Sequence, residues 1–120
     1  MKINRCCPID PEMKLNWENE LQEDSNSLKN PNIDETASLL KILSNPSRLK
    51  MVLLLSKRDY CVCEFVILLN EKQNLISYNL GILKKHGMVD SYYSSKDKYY
   101  TLNEKAMNIV RCLKQNLILC

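Results

Sequence analysis

Tyr60-Cys61-Val62-Cys63-Glu64-Phe65-Val66-Ile67-Leu68-Leu69 is the stretch on which the reading of this 120-residue chain turns. Two cysteines one residue apart open it, and an apolar run follows without a break. A helix from about Cys61 to Leu69 is expected, closed by Asn70, a residue suited to a left-handed C-terminal cap. In mid-helix, side chains two apart point about 200° away from each other and cannot close on one ion. At a junction of extended chain and helix the two sulfurs can face the same side, so the pair belongs in the first turn. The helix dipole and the free N–H groups there lower a thiol's pKa and favour thiolate, the form that binds metal. Cys61 and Cys63 therefore read as a soft-ligand pair. They read equally well as two small buried hydrophobes.

Toward the C-terminus a second helix spans about Gln73 to His86 and is stopped by Gly87. Ile76, Leu80 and Leu83 form its buried stripe. The opposite face carries Asn74, Tyr78, Gly81 and Lys85, flanked by Gln73, Ser77 and Lys84. A merely solvated face has little use for Gly81, which costs a helix about 1 kcal/mol relative to Ala. A face that approaches a duplex closely tolerates that cost. Met88–Tyr93 and Tyr99–Leu102 read as two strands joined by Ser94-Ser95-Lys96-Asp97-Lys98, a hairpin with a basic tip. A last amphipathic helix begins near Asn103 with Ala106, Ile109, Val110, Leu113 and Leu117 on one face.

Toward the N-terminus, Asn45-Pro46 is a capping side chain followed by proline at the first helical position. That helix carries Leu49, Val52 and Leu53 to about Ser56. Before it, Asn32 with Glu35 reads as a capping box, and Ile33, Ala37, Leu40 and Leu43 line one face up to Ser44. A short helix from about Glu12 to Leu21 groups Met13, Trp17 and Leu21, and Gln22–Pro31 reads as a linker. Trp17 needs a surface, on the body or on a partner subunit. The division expected is a leader over 1–31 and a single domain over 32–120. Its order is helix-helix-helix-helix-hairpin-helix: mainly α with a small β-hairpin, a winged helix-turn-helix.

Six cysteines fall into three pairs, Cys6/Cys7, Cys61/Cys63 and Cys112/Cys120. With two glycines and long helical periodicities, the chain does not resemble a secreted disulfide scaffold. Reduced thiols, several of them ligands, in a cytoplasmic protein are expected instead. No long apolar run marks a membrane span, and the first eight residues lack the apolar segment of a signal peptide. Residues 1–35 hold four Lys/Arg against eight Asp/Glu, a net of −4, and residues 36–120 hold thirteen against six, a net of +7. An acidic leader on a basic body is compatible with nucleic-acid binding by the body. A thiol enzyme is not expected: the only histidine, His86, ends the candidate recognition helix, far from serving as a base.

In its motifs the chain resembles the ArsR/SmtB family of metal- and metalloid-responsive winged-helix repressors, over roughly Ile33 to Leu102. The resemblance is carried by Leu43-Ser44-Asn45-Pro46-Ser47-Arg48-Leu49, by the box Tyr60-Cys61-Val62-Cys63-Glu64, and by Gln73 through Leu83. Gly87-Met88-Val89 and Lys98-Tyr99-Tyr100-Thr101-Leu102 complete it. It implies a homodimer formed by the first and last helices of the domain. It also implies that the ligand-free dimer holds operator DNA and that ligand binding weakens the grip. Cys6 and Cys7 resemble the leader cysteines of the cadmium-, lead- and zinc-sensing members. On that likeness they complete a metal site with Cys61 and Cys63, for Cd(II), Pb(II), Zn(II) or As(III). The last helix has no histidine, so the zinc site some relatives build there is not expected. Val66 stands where arsenic sensors often add a third cysteine, Lys72 where a Ser or Thr cap is usual, Asn79 where histidine is frequent, and Glu71 where an apolar residue is usual.

The expected DNA contacts are Gln73, Asn74, Ser77, Tyr78 and Asn79 at base edges or phosphates, and Lys84, Lys85, Lys96 and Lys98 at phosphates. Cys112 and Cys120 remain open between interface packing and a separate thiol or redox pair. A redox-responsive regulator using disulfides is the alternative reading of the whole cysteine set.

Overall fold

The computed structural model describes residues 6–117, without the side chains of 116 and 117. Its elements run α1 (Pro11–Ser27), α2 (Pro31–Leu43), α3 (Pro46–Leu55), β1 (Tyr60–Cys61), α4 (Val62–Leu69), α5 (Gln73–Lys85), β2 (Val89–Ser94), β3 (Asp97–Leu102) and α6 (Glu104–Leu117). Two compact units divide inside α2, Met1–Ala37 and Ser38–Cys120. The second unit is a winged helix-turn-helix, four helices and a three-stranded sheet.

In the first unit α1 is longer than expected. The Asp10 side chain accepts from the Met13 amide, Pro11 follows at the first helical position, and the helix continues to Ser27. Most of the expected linker is therefore helical, since Gln22–Ser27 holds no Pro or Gly to stop it. Trp17 is half-buried beside a shallow depression that it lines with Pro8 and Met13.

The start of α2 is set one cap earlier than the Asn32/Glu35 box. Asn30 Oδ1 accepts from the Asn32 amide at 2.9 Å, and Pro31 opens the helix. The buried face also differs: Leu39, Ile42 and Leu43 are buried, while Ile33 and Leu40 are 44% and 47% exposed. Both periodicities satisfy a 3.6-residue repeat, so the pattern alone did not choose between them.

In the second unit, Asn45 caps α3 by accepting from the Ser47 and Arg48 amides at 2.9 and 3.2 Å, as its Asn-Pro signature predicts. The core is built from Met51 and Val52 on α3, Phe65 on α4, Ile76, Leu80 and Leu83 on α5, Met88 and Val89 at the wing, and Ala106 and Val110 on α6. Asn70 ends α4 at φ 52°, ψ 45°, the left-handed cap expected of it. Gly87, at φ +72°, lets the chain reverse from α5 into β2.

The wing is tighter than the sequence suggested. β2 and β3 pair antiparallel from Val89↔Leu102 to Ser94↔Asp97, leaving only Ser95 and Lys96 in the turn. Ser95 adopts φ 57°. A third strand joins them: β1 pairs with β3 at Tyr60↔Tyr100 and Cys61↔Tyr99, in the order β1-β3-β2. Two residues are too short for any alternation to announce a strand. α6 opens with Asn103 Oδ1 accepting from the Ala106 amide at 3.0 Å, and it packs on α3.

Candidate nucleic-acid interface and cysteine site

α5 has one face in the core and one in solvent. Gln73, Asn74, Ser77, Tyr78, Gly81, Lys84 and Lys85 are all exposed, Tyr78 to 64%. Among the described residues, no atom outside the helix's own backbone lies within 4 Å of a Cβ built at Gly81, so internal packing does not demand glycine there. Lys72 supplies no side-chain cap to the helix start.

Asn79 does not belong to this face. It is 2% exposed, and its Oδ1 accepts from Arg48 Nη1 at 3.1 Å. Arg48 Nε also donates to the Ile42 carbonyl at 2.9 Å, so one guanidinium ties α2, α3 and α5 together. A buried amide is retained only with a partner, and here that partner fixes α5 from behind. The expectation that Asn79 reads DNA is corrected accordingly: it is three residues from Ile76 and four from Leu83, on the inward stripe. Glu71 is likewise turned inward, its Oε1 accepting from the Ser47 hydroxyl at 2.5 Å.

The four candidate phosphate-binding lysines differ. Lys96 is exposed in the wing turn. Lys84 donates to the Ser91 hydroxyl at 2.7 Å, linking α5 to β2. Lys98 is half-buried with its ammonium 5.5 Å from the centroid of Tyr100. Lys85 is exposed at the end of α5. The wing is stiffened by stacked Tyr92 and Tyr99 rings, 5.9 Å apart. Tyr92 donates its hydroxyl to Asp59 Oδ2 at 2.5 Å, and that bond to a carboxylate raises the phenol's pKa.

Asp59 directly precedes the cysteine box. Cys61 is the extended N-cap of α4, at φ −92°, ψ 167°, and Cys63 lies in the first turn. The strand–helix junction required for a ligand pair is therefore present. Glu64 Oε1 accepts from the Cys61 amide at 3.0 Å, closing a capping box. Tyr60 is anchored beneath by Phe65, 5.5 Å between centroids, and covered by Arg58 at 5.4 Å.

The electrostatics at Cys61 run opposite to the sequence expectation. Burial pushes its thiol pKa up; a hydrogen bond from the Glu64 backbone pulls it down, but the Glu64 carboxylate and Cys63 add to the rise. The helix N-terminus acts as predicted and is outweighed. In the leader, the Sγ atoms of Cys6 and Cys7 lie 3.5 Å apart on an exposed segment where Cys7 adopts φ 51°. The neighbouring Cys6 sulfur raises the Cys7 thiol's pKa, by hydrogen bonding first and by charge second. The two pairs lie in different units, and no three His, Cys, Asp or Glu side chains converge among the described residues. Cys112 is exposed on α6, and Cys120 lies outside the described residues.

Sequence reasoning missed β1, the Tyr92–Asp59 bond and the Arg48–Asn79 bridge. Arg48 stood in a quoted motif, but nothing in the sequence paired it with a residue 31 positions later.

These features define a winged helix-turn-helix protein of the kind that regulates transcription. Residues 45–91, from the cap of α3 into β2, match the model of the bacterial regulatory protein, arsR family. The chain is 35% identical over 80 residues to the biofilm growth-associated repressor of Agrobacterium fabrum, covering 66% of this chain and 68% of that one. It is 32% identical over 95 residues to the cadmium resistance transcriptional regulatory protein CadC of Listeria innocua, covering 78% and 80%. The crystal structure of the transcriptional repressor BigR from Xylella fastidiosa superposes with a TM-score of 0.67 at 32% identity, covering 80% of this chain and 95% of that one. The chain belongs to the arsR family of bacterial regulatory proteins. Among the described residues, no helix is long and apolar enough to cross a membrane.

Proposed function

We propose that the protein is a homodimeric repressor that holds operator DNA and releases it when a soft or borderline ion binds its cysteine thiolates. The observation that carries this reading is the place of Cys61. It is at once the N-cap of α4, which packs on α5, and a residue of β1, which pairs with the wing. Both elements that face a duplex are thus one step from a sulfur. The donor chemistry fits thiophilic ions: Cys61 and Cys63 supply two thiolates, and Cys6 and Cys7 of the leader supply one or two more. Cd(II), Pb(II), Zn(II) and As(III) are the candidates, and the similarity to CadC favours the first.

On the DNA side, Gln73, Asn74, Ser77 and Tyr78 present hydrogen-bonding groups to base edges, and Gly81 lets the helix approach closely. Lys84, Lys85, Lys96 and Lys98 bind phosphates; among the described residues the exposed Lys85 and Lys96 have no partner to give up. The exposed Ile33 and Leu40 on α2, with the half-buried Met107, Ile109 and Leu113 on α6, provide apolar surface for a second copy.

The test is a Cd(II) titration of the reduced protein bound to a labelled duplex from upstream of its coding region. Ultraviolet thiolate-to-metal absorption and DNA release, followed by anisotropy, should rise together to one stoichiometric end point. Release by an oxidant, with disulfide formation and no response to metal, would support the redox reading instead. Salt dependence checks the DNA face: each Lys→Ala change among the four should flatten the slope of log affinity against log salt by about 1. Sedimentation of a monomer at micromolar concentration would remove the dimer from the proposal.

A further inference from the structure

A cleft of about 280 Å³ opens between α3, α4 and α6, on surface to which α5 contributes no residue. Its floor is Leu53 and Leu54 of α3 with Leu68 and Leu69 of α4. Over Leu54 and Leu68 it runs on into a second depression of about 440 Å³, bordered by Ile67, which is 77% exposed, and by Arg58. Among the described residues nothing covers this contiguous leucine trough, and an apolar trough of this kind marks an interaction site.

The rim specifies the sign of the partner. Lys50, Lys57 and Lys114 surround the first cleft, and none has a carboxylate partner among the described residues. Arg58 adds a fourth cation at the far end. The one acid among the lining residues, Glu64, has its Oε1 committed to the Cys61 amide. Four cations around an elongated apolar floor match a ligand with a hydrocarbon body and an anionic head.

We propose that this trough is a second ligand site, which takes a medium-chain aliphatic carboxylate. Its tail lies on Leu53, Leu54, Leu68 and Leu69, and its head meets Lys57 and Lys114. Occupancy loads the C-terminal half of α4, the helix whose first turn holds Cys63 and which packs on α5. This site shares no residue with the cysteine set or the DNA face, so it stands or falls apart from the function proposed above.

The experiment is calorimetric titration of the full metal-free chain with sodium decanoate below its micellar concentration. One saturable site per chain is expected, with octanoate, two methylenes shorter, binding about fifteenfold more weakly, since each buried methylene is worth roughly fourfold in affinity. Decyltrimethylammonium, with the same tail and the opposite charge, should fail to saturate. The double variant Lys57→Gln/Lys114→Gln should bind decanoate about tenfold more weakly at an unchanged melting temperature. Leu68→Trp, which fills the trough from an exposed position, should block binding without touching the lysines. Equal binding of decanoate and decyltrimethylammonium would overturn the proposal, as would affinity indifferent to both variants. Absence of decanoate binding together with conversion of a wild-type dimer to monomer by Leu68→Asp would also overturn it, and would assign the trough to a second copy.

Discussion

The two described cysteine pairs are built on different principles. Cys61 and Cys63 are held by the fold: one sulfur belongs to a strand–helix corner whose amide is tied by Glu64 and whose neighbour Tyr60 is buried against Phe65. Cys6 and Cys7 are held by adjacency, two exposed thiols 3.5 Å apart on a segment preceding α1. The fixed pair sits at a corner that pairs with β3 and opens α4, which packs on α5, the two elements proposed to face DNA. The leader pair can add bonds to an ion but has no strand or core helix through which to pull. Affinity and response are therefore expected to be separable, the leader setting the first and the corner setting the second.

The strongest way to break this contrast is to remove the corner. Cys61→Ser or Cys63→Ser should leave metal-free DNA binding within about twofold and abolish release by Cd(II). A tenfold change in DNA affinity needs only about 1.4 kcal/mol of coupling, a small share of what metal–thiolate bonds provide. Anisotropy titrations with and without Cd(II) measure both quantities. If release survived in either variant, the response would not pass through the corner.

A smaller effect is expected in the leader. Cys6→Ser or Cys7→Ser should weaken Cd(II) binding by about tenfold, near 1.4 kcal/mol, yet preserve full release once the ion saturates. Competition against a chelator gives the affinity. Cys112→Ser and Cys120→Ser should alter neither affinity nor release; loss of release in these alone would move sensing to the last helix.

The third expectation concerns pH. Cys61 must lose a proton to ligate, and burial raises its pKa above the ordinary thiol range. Metal affinity should therefore fall as pH drops and keep rising with pH beyond the point where an ordinary thiol is already ionised. The same shift bears on the fold with the opposite sign. The native state holds this proton more tightly than the unfolded chain, so the contribution to stability is present below the unfolded pKa and is lost as pH rises through the folded one. Chelator competition and denaturant melts over the alkaline range should move in opposite directions.

The smallest effect sharpens the cause of that shift. Glu64→Gln keeps an acceptor for the Cys61 amide but removes a negative charge, so Cys61 should alkylate about twofold to threefold faster at neutral pH. An unchanged rate would leave burial and the neighbouring Cys63 as the explanation.

Much of this architecture could be read from residue types alone. Asn45-Pro46 gave the cap of α3, Asn70 the left-handed end of α4, and Ile76, Leu80 and Leu83 the inner stripe of α5. Each is a local signal, satisfied within a few residues. What escaped was long-range or very short. β1 is two residues, a strand only through its pairing with β3, some forty positions on. Asn79 looks polar and outward on a helical wheel until Arg48 arrives from another helix to satisfy it. The Cys61 thiol looked acidic because dipole and amides are visible in a sequence, whereas burial is not. The exposed members of the candidate DNA face were legible because helical periodicity fixed them once the inner stripe was known.

The placement of the aromatic residues gives the molecule two separate optical reporters. Its only tryptophan, Trp17, lies in the leader, and all six tyrosines lie between residues 60 and 100. Tyr92 is hydrogen-bonded to the Asp59 carboxylate and stacked on Tyr99, an arrangement in which a phenol's emission is expected to be weak. Excitation at the red edge therefore follows the environment of the leader, and the tyrosine band follows the second unit, which holds all six tyrosines. A stopped-flow mixing experiment with metal can time the two signals in one unlabelled sample, and on the proposed mechanism their order tells whether capture by the leader comes before the wing lets go.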